Sequence, residues 1–297
     1  MKDQRKIIVE NALRMSKETG SEKILLFLDT IQSCRWWITA DVKEKKRIIV
    51  VLPKKLELKN LTLKKTCSEI IRSWSGNQTR FSRIKYAFLH GVIHEMINEN
   101  SKVVCVLGPS GKSHLDTITI HDLSLSWSEE FPFDVKGLIR NKAFYTIMAV
   151  IDIALDIGAL GREGKSIGTI FVIGDSQKVL KLSHQAVFNP FKGYPLRDRK
   201  ITRTEVVESL KEFAKLDGAI VISDDGTVEA AGRHLDAGGS TAKTLRGLGA
   251  RHRSAAGISR KTMSVSIVVS ESTGKVTIFD KGAIALTLEP LISRRLV

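Results

Sequence analysis

The chain has 297 residues, 42% of them hydrophobic and 27% charged, enough for a real core, a soluble surface and two domains of ordinary size. No apolar run reaches the ~18–20 residues of a membrane-spanning helix. The net charge of +15 is spread as +9 over residues 1–125 and +6 over residues 126–297, which attracts nucleotides and nucleic acids alike without choosing between them. The charged start, Met1-Lys2-Asp3-Gln4-Arg5-Lys6, carries no secretory pattern, so a cytosolic protein is expected. Cys34, Cys67 and Cys105 lie far apart, and no pair has metal-ligand spacing. Cys67 and Cys105 sit within or beside apolar runs and read as reduced core residues.

In residues 3–18, Ile7, Ile8, Ala12, Leu13 and Met15 recur at helical spacing, with Gly20 as a stop. Residues 24–28 read as a buried strand. Asp29-Thr30 stands at its C-terminal end, where open α/β sheets place ligands. Residues 48–52 form a second apolar strand ended by Pro53, residues 80–98 an amphipathic helix and residues 103–107 a third strand. This alternation predicts an α/β domain around a mainly parallel sheet, residues 1–125, of unknown role. Its element order resembles the small α/β domain at the end of pyruvate kinases. The third strand runs into Gly108-Pro109-Ser110-Gly111-Lys112-Ser113, which tempts a phosphate-loop reading. The full spacing needs glycine where Val106 stands, and residues 114–120 read as a strand rather than the required helix. A turn is expected instead.

A polar passage ending in Phe131-Pro132-Phe133-Asp134 marks the domain boundary, leaving residues 126–297 as the second domain. Asp134 would cap a long helix to about Leu160, carrying Leu138, Phe144, Ile147, Met148, Ile151 and Leu155, before Gly158, Gly161 and Gly164 break the pattern. Residues 167–173 read as a strand, Asn189-Pro190-Phe191 as the start of a turn-rich passage, 203–216 as a helix and 217–223 as a strand. Asp224-Asp225-Gly226 signals a hairpin with a return strand over 227–235. Gly238-Gly239-Ser240 leads into a helix through Thr244 and Leu245. Residues 258–262 continue helically, and 265–269 with 275–279 form a closing hairpin around Thr273-Gly274.

Between these elements lies Gly249-Ala250-Arg251-His252-Arg253-Ser254-Ala255-Ala256-Gly257. Three adjacent basic groups repel one another, yet two guanidinium forks and an imidazole fit a polyphosphate well. A solvated basic turn is the plain alternative. Asp217, followed by Gly218-Ala219, could hold a hard divalent cation bridging phosphates or act as an ordinary cap. Ser270-Glu271 ends an apolar strand, with a solvated hairpin as its plain alternative.

Taken together, Asp217-Gly218-Ala219, Leu235, the Gly-Ala-Arg-His-Arg-Ser run and Ser270-Glu271 strongly resemble the diadenylate cyclase family, over residues from about 134 to 290. Ser166-Ile167-Gly168-Thr169-Ile170 matches that family's first core strand, and the distinct N-terminal α/β domain looks like its soluble archaeal-type branch. The resemblance implies a mixed β-sheet flanked by helices, and a metal-assisted nucleotidyltransferase that joins two ATP into cyclic di-AMP. It implies that Asp217 and Glu271 bind Mn or Mg, with Asp217 near the attacking hydroxyl. Gly218 and Ala219 would line the nucleotide, and Leu235 would pack on adenine. Gly249, Ala250, Arg251, His252, Arg253, Ser254 and Ser270 would hold ATP, with Asp217 and the Arg-His-Arg run as the catalytic set. Two copies would meet face to face as a homo-oligomer. Leu216 stands where relatives often carry His, Ala250 where they carry Thr, and Met263 where several carry Asp. These departures leave room for a catalytically silent ATP or cyclic-dinucleotide sensor. A nucleic-acid-binding protein rests on charge alone, and neither nucleic acid nor a membrane is an expected partner.

Overall fold

The computed structural model describes residues 3–57, 63–124, 142–161, 165–236 and 248–291, and the chain divides into two compact units, Met1–Phe131 and Pro132–Val297. In the first unit, β1 (Lys23–Phe27), β2 (Ile48–Pro53), β3 (Glu69–Ser73), β4 (Lys102–Leu107) and β5 (Thr117–Asp122) form one sheet in the order β3-β2-β1-β4-β5. β1 to β4 are parallel, and β5 lies antiparallel on β4. The apolar runs of β1, β2 and β4 are buried throughout their centres, as parallel strands covered on both faces require. Helix α1 (Gln4–Glu18) is capped by the Asp3 carboxylate, and α2 (Ile31–Thr39) opens on a Thr30/Ser33 capping box. The Thr79 hydroxyl caps α3 (Arg80–Ile93). Val9, Ala12 and Leu13 of α1 and Trp37 of α2 close over Ile24, Leu26, Val50 and Val104.

Sequence reading passes over α2 and β3. The former is rich in β-branched and aromatic residues, which weaken a helical signal, and buries only Ser33, Cys34 and Trp37. The latter is an edge strand carrying Glu69 and Arg72. Helix α3 stops at Ile93, short of the expected Asn98, where Glu95 turns left-handed at φ 55°. Residues 108–113 make the expected turn, with the Lys112 N–H donating to the Pro109 carbonyl at 3.2 Å, and the antiparallel β5 follows instead of a helix. All three cysteines are buried free thiols, and burial pushes the Cys34 thiol up to about 11.

Burial also holds His90 and His121 at about 4, and His252 of the second unit below its ordinary value of 6.5. The unfolded chain therefore takes up these protons first as the pH falls through 6.5 toward 4, so native stability declines across that window. Urea midpoints are expected to be lower at pH 5.5 than at pH 7.5. Equal midpoints would contradict the burial of these rings in neutral form.

In the second unit, β6 (Thr169–Ile173), β7 (Ser183–Gln185), β8 (Ala219–Ile222), β9 (Val228–Leu235), β10 (Val265–Val269), β11 (Val276–Asp280) and β12 (Ala283–Leu288) take the order β12-β11-β10-β6-β8-β9-β7. Only the β6–β8 pair is parallel. β6, β8 and β10 are buried at every residue, so each face of the sheet needs a cover. Helix α4 (Phe144–Leu160) packs on β6, β10 and β11. Short α5 (Ser176–Lys181) and amphipathic α6 (Thr204–Phe213) follow β6. Helix α7 (Ala250–Lys261) lays Ala255, Ala256 and Ile258 on Ile170, Val172, Ala219, Val221 and Val268. The result is the mixed sheet flanked by helices expected from sequence.

Two details differ from expectation, and two expected features lie outside the described residues. The Arg-His-Arg run is not a turn but the first turn of α7, which begins at Ala250 rather than resuming near Ile258. The closing hairpin gains a third strand, β12, an edge strand of uneven burial. The long helix is described from Phe144, and its expected cap Asp134 and the expected helix through Thr244 lie outside the described residues.

Candidate active site

The second sheet brings the site together by topology. β6 and β8 are parallel, with Ile170 opposite Ala219, so their starts share one edge of the sheet. β10 runs antiparallel to β6, with Val269 opposite Thr169, so its end reaches that same edge. Gly168, the Asp217-Gly218 pair and Ser270-Glu271 therefore stand level. The first turn of α7 brings Arg251 among them.

Arg251 is the centre of the cluster. Its Nη1 lies 2.9 Å from Glu271 Oε2 and its Nη2 lies 3.4 Å from Asp217 Oδ1. Residues separated by 34 and 20 positions in the chain thus converge on one guanidinium. The two carboxylates are wet: the Asp217 side chain is 96% exposed and that of Glu271 59%, against 39% for Arg251. Such exposed pairs add little stability. Gly249 is the N-cap of α7, offers no side-chain cap, and no acidic residue occupies the first turn. Positive dipole and positive side chains are stacked at that end, against the usual preference for acidic residues there. The arrangement is poor for a helix and good for an anion.

The remaining site residues divide. Arg253 is exposed, and its Nη1 donates to the Leu248 carbonyl at 2.6 Å. Gly249 and Ala250 are exposed and Ser254 half-buried in the same turn. His252, one helical step from each arginine, faces inward. It is buried and meets Phe279 edge-on at a centroid distance of 6.1 Å, and burial keeps its ring toward the neutral form. The geometry therefore separates His252 from the two arginines with which the sequence groups it. Leu235 is buried at the end of β9 in the cluster under α7, together with Leu248 at its margin. Ala219 is fully buried. Ser270 begins the β10–β11 turn, with its hydroxyl 3.3 Å from that of Ser272. Leu216 is partly exposed in the turn before Asp217. Met263 follows the C-terminus of α7, about 18 Å along the helix from Arg251 by helical rise, so that departure does not touch the cluster.

Two glycines shape the site. Gly218 has φ +110°, and a Cβ there would come within 2.7 Å of the Gly232 backbone carbon and 2.8 Å of the Arg233 nitrogen. Gly218→Ala is expected to destabilise the unit by more than about 1 kcal/mol, read as a lower urea midpoint at unchanged slope. A neutral midpoint would mean that β8 and β9 do not pack this closely. Gly168, which the sequence presents only as part of a strand, lies directly against the Arg251–Glu271 pair. A Cβ at Gly168 would stand 2.9 Å from Arg251 Nη1 and 2.9 Å from Glu271 Cβ. The absence of a side chain at Gly168 leaves room for the Arg251–Glu271 pair, and a Cβ there would oblige Arg251 or Glu271 to shift.

The family described as "DisA bacterial checkpoint controller nucleotide-binding" matches residues 156–284, which hold every one of these groups. The diadenylate cyclase of Methanocaldococcus jannaschii is 30% identical over 304 aligned residues, spanning 96% of each chain. The chain belongs to the diadenylate cyclase family. The diadenylate cyclase of Haloferax volcanii is 37% identical over 145 residues, or 48% of this chain and 52% of its own length. A double mutant of DacA from Staphylococcus aureus matches with 22% identity and a TM-score of 0.34, covering 47% of this chain and 84% of its own. The N-terminal residues 4–127 of this family member match "Probable sensor domain DacZ_P".

Proposed function

We propose that the chain condenses two ATP molecules into cyclic di-AMP with release of two pyrophosphates. The ribose 3′-hydroxyl of each nucleotide attacks the α-phosphorus of the other, the bond to the bridging oxygen breaks, and the hydroxyl proton leaves to solvent or a nearby base. The observation that carries this reading is Arg251 held between Asp217 and Glu271 at the first turn of α7. Nucleotidyl transfer depends on positioning and charge neutralisation, and this cluster offers both.

Two carboxylates that reach one guanidinium converge, and a hard divalent cation takes one or two carboxylates together with phosphate oxygens and waters. Among the described residues no group of three or more His, Cys, Asp or Glu forms a cage for a cation. Asp217 and Glu271 thus fit an Mg or Mn that is shared with substrate. Such a cation, when bound, neutralises charge at the α-phosphate and lowers the pKa of the 3′-hydroxyl. Arg251 itself would exchange carboxylate oxygens for phosphate oxygens and give the departing pyrophosphate a cationic partner. Arg253 and the free backbone amides of the α7 first turn add donors for the triphosphate. His252, neutral and inward, holds the helix against Phe279 and so positions the two arginines on either side of it.

One unit offers one nucleotide site, whereas the product needs two nucleotides facing each other. An isologous pair satisfies this. Beside the site, Val187 packs over Gly232, which itself abuts Gly218. Next to it Phe188 is fully exposed, and Tyr194 and Leu196 are also exposed. Apolar surface of this kind at the mouth of an active site suits a second copy of the chain. Specific activity is expected to fall on dilution, and pyrophosphate rather than orthophosphate is expected as the inorganic product with ATP and Mg or Mn. Orthophosphate release would point to an ATPase.

Gly168→Ala is expected to raise KM for ATP and lower kcat together, on the order of tenfold in kcat/KM, by displacing Arg251 from Glu271. Unchanged steady-state kinetics would show that Arg251 does not depend on that approach.

A further inference from the structure

Two sequence features play no part in the cyclase chemistry: Asp29 at the end of β1 and the glycine-rich turn after β4. The first unit brings them into contact. The Gly111 N–H donates to Asp29 Oδ2 at 2.9 Å, and Arg83 Nη2 lies 2.6 Å from Asp29 Oδ1. A second guanidinium nitrogen of Arg83, Nη1, donates to the Gly108 carbonyl at 2.7 Å. The Asp29–Arg83 pair is buried, with side-chain exposures of 9% and 6%. A buried ion pair is a poor source of stability compared with apolar packing of the same volume, so its retention calls for another reason.

That reason lies in its place. The sheet order β3-β2-β1-β4-β5 reverses direction between β1 and β4, and both strands end at the Asp29–Gly111 contact. In open α/β sheets the crevice beyond the carboxyl ends of the strands at such a switch point is where ligands bind. A cavity of ≈ 260 Å³ extends from that contact across the carboxyl ends of β2 and β3, with Asp29, Arg83, Lys55 and Ser110 on its polar side. Trp74, Leu56 and Phe27 supply the apolar side. Its charged groups comprise one carboxylate and two cations, so an anion is favoured. Asp29, as an acceptor, calls for a donor on the same ligand. The volume admits a molecule smaller than the drug-sized ligands of larger pockets.

We infer that the N-terminal unit binds a small hydroxylated organic anion in this cavity. Its oxyanion meets the exposed Lys55 beside the positive charge of Arg83, whose terminal nitrogens hold Asp29 and the Gly108 carbonyl, its hydroxyl donates to Asp29, and its carbon skeleton lies against Trp74 and Leu56. A phosphate ester and a carboxylate share this chemistry. The first unit thereby gains a ligand of its own, distinct from the nucleotide of the second unit and independent of how that nucleotide is used.

The test uses the full-length chain, thermal unfolding and intrinsic tryptophan emission, since Trp74 lines the cavity. One arm contains polyol phosphates such as glycerol 3-phosphate, the other hydroxy acids such as glycerate and malate. Inorganic phosphate and acetate are the controls. The expected result is saturable binding by members of one arm, with a rise in Tm of roughly 5 °C at a hundredfold excess over Kd. Lys55→Glu, at an exposed position, should weaken binding at least tenfold, and Ser110→Trp, which fills the cavity, should abolish it. Asp217→Asn in the other unit should bind the same probe unchanged. The inference is overturned if no member of either arm binds at 10 mM. It is equally overturned if inorganic phosphate binds as tightly as the organic anions, or if binding survives both cavity variants.

Discussion

Arg251→Ala is expected to lower kcat/KM for ATP on the order of 10²–10³-fold while moving Tm by no more than about 2 °C. The activity loss follows from removing a guanidinium that reaches both carboxylates and stands at a helix N-terminus. The small change in stability follows from exposure. With side chains 96% and 59% exposed, Asp217 and Glu271 lose a partner that solvent largely screens, and their mutual repulsion is screened as well. Arg251→Lys should recover only part of the activity, because a single ammonium cannot span two oxyanions as the planar fork does. Full activity in Arg251→Ala would remove the residue from the mechanism.

Asp217→Asn should abolish nearly all cyclase activity, on the order of 10²-fold or more, with folding intact. An amide keeps the size of the side chain and can still accept from Arg251, so structure alone predicts no effect. The charge is what changes. ATP affinity should fall far less than kcat, because Arg251, Arg253 and the helix terminus proposed to hold the triphosphate remain. A variant that turns over ATP like the wild type, in Mg or Mn, would show that the carboxylate has no part in the reaction.

The contrast between the two units shows where sequence reading succeeds. The strands β1, β2, β4, β6, β8 and β10 are near-continuous apolar runs, and their burial on both faces is what makes them legible. Edge strands β3, β7 and β12 alternate or are short, and they are not. Among the site residues, the resemblance groups Asp217, Arg251 and Glu271 into one site, whereas their residue types and spacing alone do not, because their convergence depends on β6, β8 and β10 meeting at one end of the sheet. His252 turns inward, away from Arg251 and Arg253, because adjacency in sequence becomes a rotation of about 100° on a helix. Gly168 carried no chemical signal at all, since its role is the space it leaves for Arg251. The rule that ligands sit beyond the carboxyl ends of parallel strands points to Asp29 in the first unit. In the second unit the cluster lies at the starts of β6 and β8 and the end of β10, so that rule alone misses it.

In the proposed reaction the Arg251 cluster joins two nucleotides rather than hydrolysing one. The most direct measurement is the mass of the products formed by the purified full-length chain from ATP with Mg or Mn. Cyclic di-AMP and pyrophosphate in a ratio of one to two, absent in Asp217→Asn, is the result expected here. ADP with orthophosphate, or bound ATP recovered intact from an active-site-competent, associated protein, would contradict it.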